Sequence, residues 1–186
     1  NIVDGGNQSG SVVGIFVGGG SDGVIVRRNT VRNIVATAAA GDGYGIIVEE
    51  SPNTQVLRNV IANNDVGIWV NDAASGQTAD TVVINDNNIT STVTNATGLR
   101  FDPDPTPANL DATNNWWGAA SGPRDDDADT NDCPEFVVPG CTIQPTADGG
   151  GLPVAVGTAN PDDCGTTAGT VKTCPYRTSP VSGAGA

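Results

Sequence analysis

The sequence predicts an all-β solenoid, a chain wound into short stacked coils around a dry interior. Three observations predict it. An asparagine returns in the same apolar frame at Asn1, Asn29, Asn59, Asn87 and Asn115, in steps of 28, 30, 28 and 28 residues. A fixed period of this length marks a structure in which each repeat covers its neighbour. Between the asparagines a glycine-led apolar run also returns, as Gly14-Ile15-Phe16-Val17, Gly45-Ile46-Ile47-Val48, Gly67-Ile68-Trp69-Val70 and Gly98-Leu99-Arg100-Phe101. Finally, the chain is rich in Gly, Asn, Thr and Asp and holds only 4% aromatics, which disfavours helices and suits short strands joined by tight turns.

Each repeat reads as strand, asparagine turn, strand, loop, strand. In one copy Val82, Ile84 and Ile89 alternate with Asn85, Asp86 and Asn88, the period of two that places alternate side chains inside. Stacking the copies gives inward columns: Val24/Thr54/Val82/Leu110, Val26/Val56/Ile84/Ala112 and Val3/Val31/Ile61/Ile89/Trp117. Ile15, Ile46, Ile68 and Leu99 point inward as well, with Val17, Val48, Val70 and Phe101. Asn29, Asn59, Asn87 and Asn115 form a turn ladder at one corner, because asparagine tolerates the left-handed conformation and its amide reaches the amides above and below. Segments 35–44, 71–80 and 102–109 vary in length and are read as outside loops.

The periodic frame stops at Gly118. The chain therefore divides into coils over 1–118, about four to five of them, and an irregular Gly/Pro/Asp-rich extension over 119–186. Little regular structure is expected there before a last strand near 170–173.

Of 186 residues 21 are acidic and 8 basic, a net charge of −13 that argues against nucleic acid and against anionic lipid as partners. No stretch approaches the roughly 20 apolar residues of a membrane span. The chain holds no methionine and opens on no charged-then-apolar leader, which fits a processed protein or an excised fragment. Cys133, Cys141, Cys164 and Cys174 all lie in the last third. With no histidine and no paired spacing they do not read as zinc ligands. Local pairing, Cys133–Cys141 and Cys164–Cys174, would staple two loops; the other two connectivities and four free thiols remain as alternatives. Disulfides place the protein outside the cell or on its surface.

The segment Leu110-Asp111-Ala112-Thr113-Asn114-Asn115-Trp116-Trp117-Gly118, followed by Ser121-Gly122-Pro123, resembles the Asn-Trp-Trp-Gly…Gly-Pro ending of many bacterial and archaeal surface β-helices. The repeat as a whole resembles right-handed parallel β-helix proteins of the pectate-lyase-like superfamily. The resemblance covers 1–118 and a final strand, Gly169-Thr170-Val171-Lys172-Thr173-Cys174-Pro175-Tyr176. It implies a right-handed parallel β-helix. The superfamily includes polysaccharide lyases and hydrolases, but this ending marks mostly non-catalytic surface proteins, so an enzyme is the weaker expectation.

The candidate sites follow from this register. Arg28 and Arg58 occupy equivalent outward positions with Asp86 in the next coil, and Glu49 and Glu50 end another strand. Such a column of both signs suits carbohydrate contact, with a surface ion-pair ladder of little energetic weight as the plain alternative. No catalytic pair of acids recurs at strand positions. Asp125, Asp126, Asp127 and Asp129 offer oxygens to a structural calcium ion, against a default of a solvated acidic loop; no other cofactor is expected. Phe16, Ile47 and Trp69 form an outward apolar column that reads as covered by loops, as an interface or as a sugar-stacking strip. Trp117 faces in as a lid of the core and Trp116 faces out under the C-terminal segment. Asn7, Asn88 and Asn95 begin glycosylation sequons, with Asn95 the best placed.

The chain opens inside a repeat, on Asn1 and the apolar pair Ile2-Val3. An open coil end exposes core residues and unpaired strand edges, and solenoids cap such ends. Either earlier coils have been removed, or the end meets another copy, and a head-to-tail contact of that kind builds an open filament. The second is the expectation: a secreted structural protein whose partners are copies of itself and, as the alternative, a cell-surface polysaccharide.

Overall fold

A computed structural model describes residues 1–38, 41–71, 81–102, 109–125, 151–156, 170–173 and 175–185. The chain forms a parallel β-helix of three faces. Its first rung is β1 (Ile2–Gln8), β2 (Val12–Val17) and β3 (Ile25–Arg27). The second is β4 (Thr30–Ala36), β5 (Gly43–Glu49) and β6 (Gln55–Leu57). The third is β7 (Val60–Ala62), β8 (Val66–Asn71) and β9 (Val83–Asn85), and the fourth is β10 (Asn88–Thr90), β11 (Thr97–Asp102) and β12 (Asn109–Asp111). Each rung gives one strand to each of three parallel sheets: sheet A runs β1-β4-β7-β10, sheet B continues from β2 through β5 and β8 to β11, and sheet C from β3 through β6 and β9 to β12. No α-helix occurs among the described residues.

Three full turns separate β1 from β10, so the stack is slightly shorter than the four to five coils counted from the asparagines. The reason is that Asn1 precedes β1 and Asn115 follows β12, so the five asparagines flank four described rungs. Beyond Asn115, sheet A is continued among the described residues only by an isolated bridge between Asn88 and Trp116. Part of the 119–186 extension is described. Within it β13 (Arg124–Asp125) and β14 (Pro153–Val156) add to sheet B, and β15 (Thr170–Lys172) adds to sheet C.

The register is the one that the repeat requires. Ile15, Ile46, Ile68 and Leu99 pair in sequence across sheet B, and Val26, Val56 and Ile84 do so across sheet C. The inward residues of all three sheets form one hydrophobic core, in which Val31, Val56, Ile61, Ile84, Ile89, Leu99, Phe101, Leu110 and Trp117 are fully buried. The glycine that leads each sheet-B run has a packing cause. A Cβ on Gly45 would lie 2.5 Å from the Gly67 carbonyl oxygen, and one on Gly67 would lie 2.5 Å from that of Gly98. Neighbouring coils approach too closely there for any side chain.

Candidate functional site

The corner between sheets C and A carries the asparagine ladder. The Asn1 amide donates to Asn29 Oδ1 at 3.1 Å. The Asn29, Asn59 and Asn87 amides then donate to Oδ1 of Asn59, Asn87 and Asn115 at 3.2, 3.0 and 3.0 Å. Each of these oxygens also accepts the backbone N–H of the asparagine one rung below, at 2.9 Å. Asn59, Asn87 and Asn115 are fully buried, and a buried amide is tolerated only when its hydrogen bonds are made. The left-handed residue at this corner is not the asparagine. It is the residue before it: Arg28, Arg58, Asp86 and Asn114, with φ of 54, 55, 59 and 58°. Turning one position early swings the asparagine side chain inward, where it caps the backbone of two adjacent coils.

That geometry also places Arg28 and Arg58 on the outside of the corner. Arg58 Nε lies 3.9 Å from Asp86 Oδ2, and Asp86 also receives Arg177. Glu49 and Glu50 close β5 at the next corner, between sheets B and C, so the arginines and these acids do not share a site. A second pair, absent from the sequence reading, shapes the corner between sheets A and B. Asn64 accepts the Ile34 N–H at 3.0 Å, and Asp65 Oδ2 accepts the N–H groups of Ala36 and Gly43 at 2.7 and 2.8 Å. The run Asn63-Asn64-Asp65 was the available signal.

The outer face of sheet B holds the expected column of Phe16, Ile47 and Trp69, but not as an open strip. Phe16 is 57% exposed, whereas Ile47 is only 4% exposed. Ile47 is paired between Phe16 below and Trp69 above, so large neighbours on both sides remove it from water. Trp69 is engaged on both sides as well. Tyr44, on the rung below, stacks on it with centroids 4.9 Å apart. The Arg100 guanidinium, on the rung above, lies 5.3 Å from its centroid. These separations match the spacing of adjacent strands, so the three side chains form a ladder of their own. Trp69 Nε1 donates to Asp102 at 2.8 Å, and Arg100 bridges the same carboxylate at 3.0 Å. Burial, and then the hydrogen bond donated to Asp42, push the Tyr44 phenol up to about 12. The arrangement braces coils together and engages the Trp69 ring from the rung below and from the rung above.

The C-terminal segment 175–185 runs back down the outside of the asparagine corner. The Asn114 N–H donates to the Pro175 carbonyl, and the Arg177 N–H to the Asn115 carbonyl at 2.9 Å. Asn88 exchanges two hydrogen bonds with the Val181 backbone, and Gly185 N–H reaches the Arg58 carbonyl at 2.8 Å. This strap occupies the Asn88 side chain, whereas Asn95 is exposed on a left-handed turn with φ 60°. The Asn7 side chain lies outside the described residues, as do Cys133, Cys141, Cys164 and Cys174, Asp126, Asp127, Asp129 and the side chain of Asp125.

The first rung completes the inventory. Among the described residues the large apolar side chains left exposed are Ile2 (63%), Val13 (42%), Phe16 (57%) and Ile25 (53%). They sit on β1, β2 and β3, one or more on each face of a single rung. Val3 faces inward beside Ile2 and is only partly buried.

The family model described as NosD, periplasmic copper-binding protein, matches residues 1–106. The chain belongs to the NosD family. The match spans β1 to β11 and thus most of the continuous stack, so the repeat that NosD describes is the parallel β-helix itself. No curated protein and no solved structure matches the chain.

Proposed function

We propose that this NosD-family chain is an exported structural β-helix of the cell envelope or exterior that associates end to end through its first rung, building a filament. The observation that carries the reading is the gathering of Ile2, Val13, Phe16 and Ile25 on that one rung, where β1, β2 and β3 are the edge strands of their sheets among the described residues. Backbone groups on such an edge pair with an incoming strand, and apolar side chains around it lose water when they do. A contact between unlike ends does not close on itself, so it propagates. The family description supports an envelope location, as does the resemblance of the Asn-Trp-Trp-Gly ending to surface β-helices. Among the described residues no helix is long and apolar enough to cross a membrane. Cysteine pairing in the extension and a glycan on Asn95 fit the same setting.

The test is light scattering and electron microscopy of the purified full chain over a concentration series, beside a Phe16→Asp/Ile25→Asp variant. Particle mass should grow with concentration in the parent and stay at one chain in the variant. Monomers alone at every concentration would remove the proposal. A second reading, polysaccharide contact at Arg28 and Arg58, has one observation in its favour: Arg58 remains 54% exposed despite its ion pair. It ranks below the first because the net charge of −13 repels acidic glycans and Trp69 is already stacked.

A further inference from the structure

The family description names copper, and the chain's own donors can be set against that. We infer that the family-matched β-helix, residues 1–106, has no copper site of its own. Copper is held in proteins chiefly by thiolate, thioether and imidazole ligands. The chain has no histidine and no methionine, and its first cysteine, Cys133, lies beyond the matched segment. Oxygen donors are therefore all that residues 1–106 can offer from side chains, and the fold disperses them. Among the described residues no group of three acids converges on a point where an ion would sit.

The acids are instead engaged one at a time. Asp4 accepts Arg32 Nε at 2.9 Å and Asn33 Nδ2 at 2.8 Å. Asp65 takes the backbone N–H groups of Ala36, which ends β4, and Gly43, which begins β5. Asp102 takes the Trp69 indole and the Arg100 guanidinium. A metal ion would have to displace a cation or an N–H donor at each of them, and would find a single carboxylate in return. The repeat that identifies the family is thus separable from copper binding: what these residues preserve is the coil, with its asparagine ladder and inward columns. If the chain takes up a soft metal at all, only Cys133, Cys141, Cys164 and Cys174 have the chemistry for it.

This inference does not depend on end-to-end association, and its test reads metal rather than particle size. Cuprous and cupric ions would each be titrated into the full chain in competition with a chromophoric chelator. Three samples are compared: reduced parent, thiol-alkylated parent, and the Cys133→Ser/Cys141→Ser/Cys164→Ser/Cys174→Ser variant, with circular dichroism to check folding. The alkylated parent and the variant are expected to take no stoichiometric copper at a Kd tighter than about 1 μM, and copper is expected to leave their Tm unchanged. Uptake by the reduced parent that vanishes on alkylation supports the inference, as does no uptake by any sample. One equivalent of copper retained by the folded alkylated parent or by the folded variant overturns it. Should the variant fail to fold, the alkylated parent still decides.

Discussion

At the fourth rung, Ile89, Leu99 and Leu110 have no exposed surface. Trp117 closes the core there, and Leu152, Val154, Val171 and Tyr176 pack against the cluster from the extension. At the first rung the residues in the same columns, Val3, Ile15 and Val24, are only partly buried, and the outward Ile2, Phe16 and Ile25 are more than half exposed. The two rungs obey one pattern, yet one is interior and the other is surface. The repeat therefore decides which way a side chain points, while burial is decided by what lies above and below. In a solenoid whose stability is summed over neighbouring repeats, a rung with one neighbour contributes less than a rung with two.

This difference can be broken or sharpened by paired substitutions. The largest effect is expected from the core. Leu99→Ala should cost about 3–4 kcal/mol, because it removes a fully buried side chain from a site closed on both sides, and Ile15→Ala should cost less than half as much. Urea unfolding of the two variants measures both, and equal losses would mean that the first rung is covered in solution.

Next comes the asparagine ladder. Asn87→Ala strands the Asn59 backbone and side-chain donors, both buried, and should cost about 3 kcal/mol; Asn1→Ala, on the exposed first rung, should change stability by less than about 0.5 kcal/mol. Thermal unfolding of the pair tests whether the ladder carries its load in the middle of the stack. A smaller loss of about 1 kcal/mol is expected for Asn88→Ala, which releases Val181 from the strap. Proteolysis should then cut the 175–185 segment faster than in the parent, and an unchanged rate would show that Arg177 and Gly185 hold it alone.

Two titrations complete the series. The Tyr44 phenol, raised from 10.0 to about 12, favours the folded state below pH 10, and its contribution is lost as pH rises through about 12. Phenolate absorbance, with Tyr44→Phe as the subtraction, should show this late titration. At the first rung the hydrogen bond from Asn33, and then the one from Arg32, hold the exposed Asp4 carboxyl below its usual 3.8. Its contribution is present above that value and lost as the pH falls through the lowered one. Asn33→Ala should move the Asp4 carboxyl resonance in an NMR titration toward the unfolded value.

Much of this structure was legible in the chain. Val26, Val56 and Ile84, or Ile46, Ile68 and Leu99, announce their shared columns because strand alternation is a property of adjacent residues and the repeat length is nearly constant. The ladder at Asn59, Asn87 and Asn115 was legible for the same reason. The left-handed turn was misplaced by one position, since Arg28 and Arg58 carry none of the usual signals for positive φ. The column Phe16/Ile47/Trp69 was seen, but the engagement of Trp69 was not, because Tyr44 and Arg100 reach it from the rungs below and above. β14 was missed because Pro153–Val156 falls in a segment with no repeat of its own.

What the sequence by itself determined is the path of the coil: its period, its corners and the inward or outward sense of each strand residue. These follow from local alternation and from contacts about one repeat apart. Only the tertiary structure decided which rung is buried, which acids are already engaged, and where residues 175–185 dock. Arg177 meets Asp86 and Val181 meets Asn88 across 91 and 93 residues of chain. No pattern within one repeat encodes a partner at that distance; it is set by closure of the stack and by the water that closure excludes.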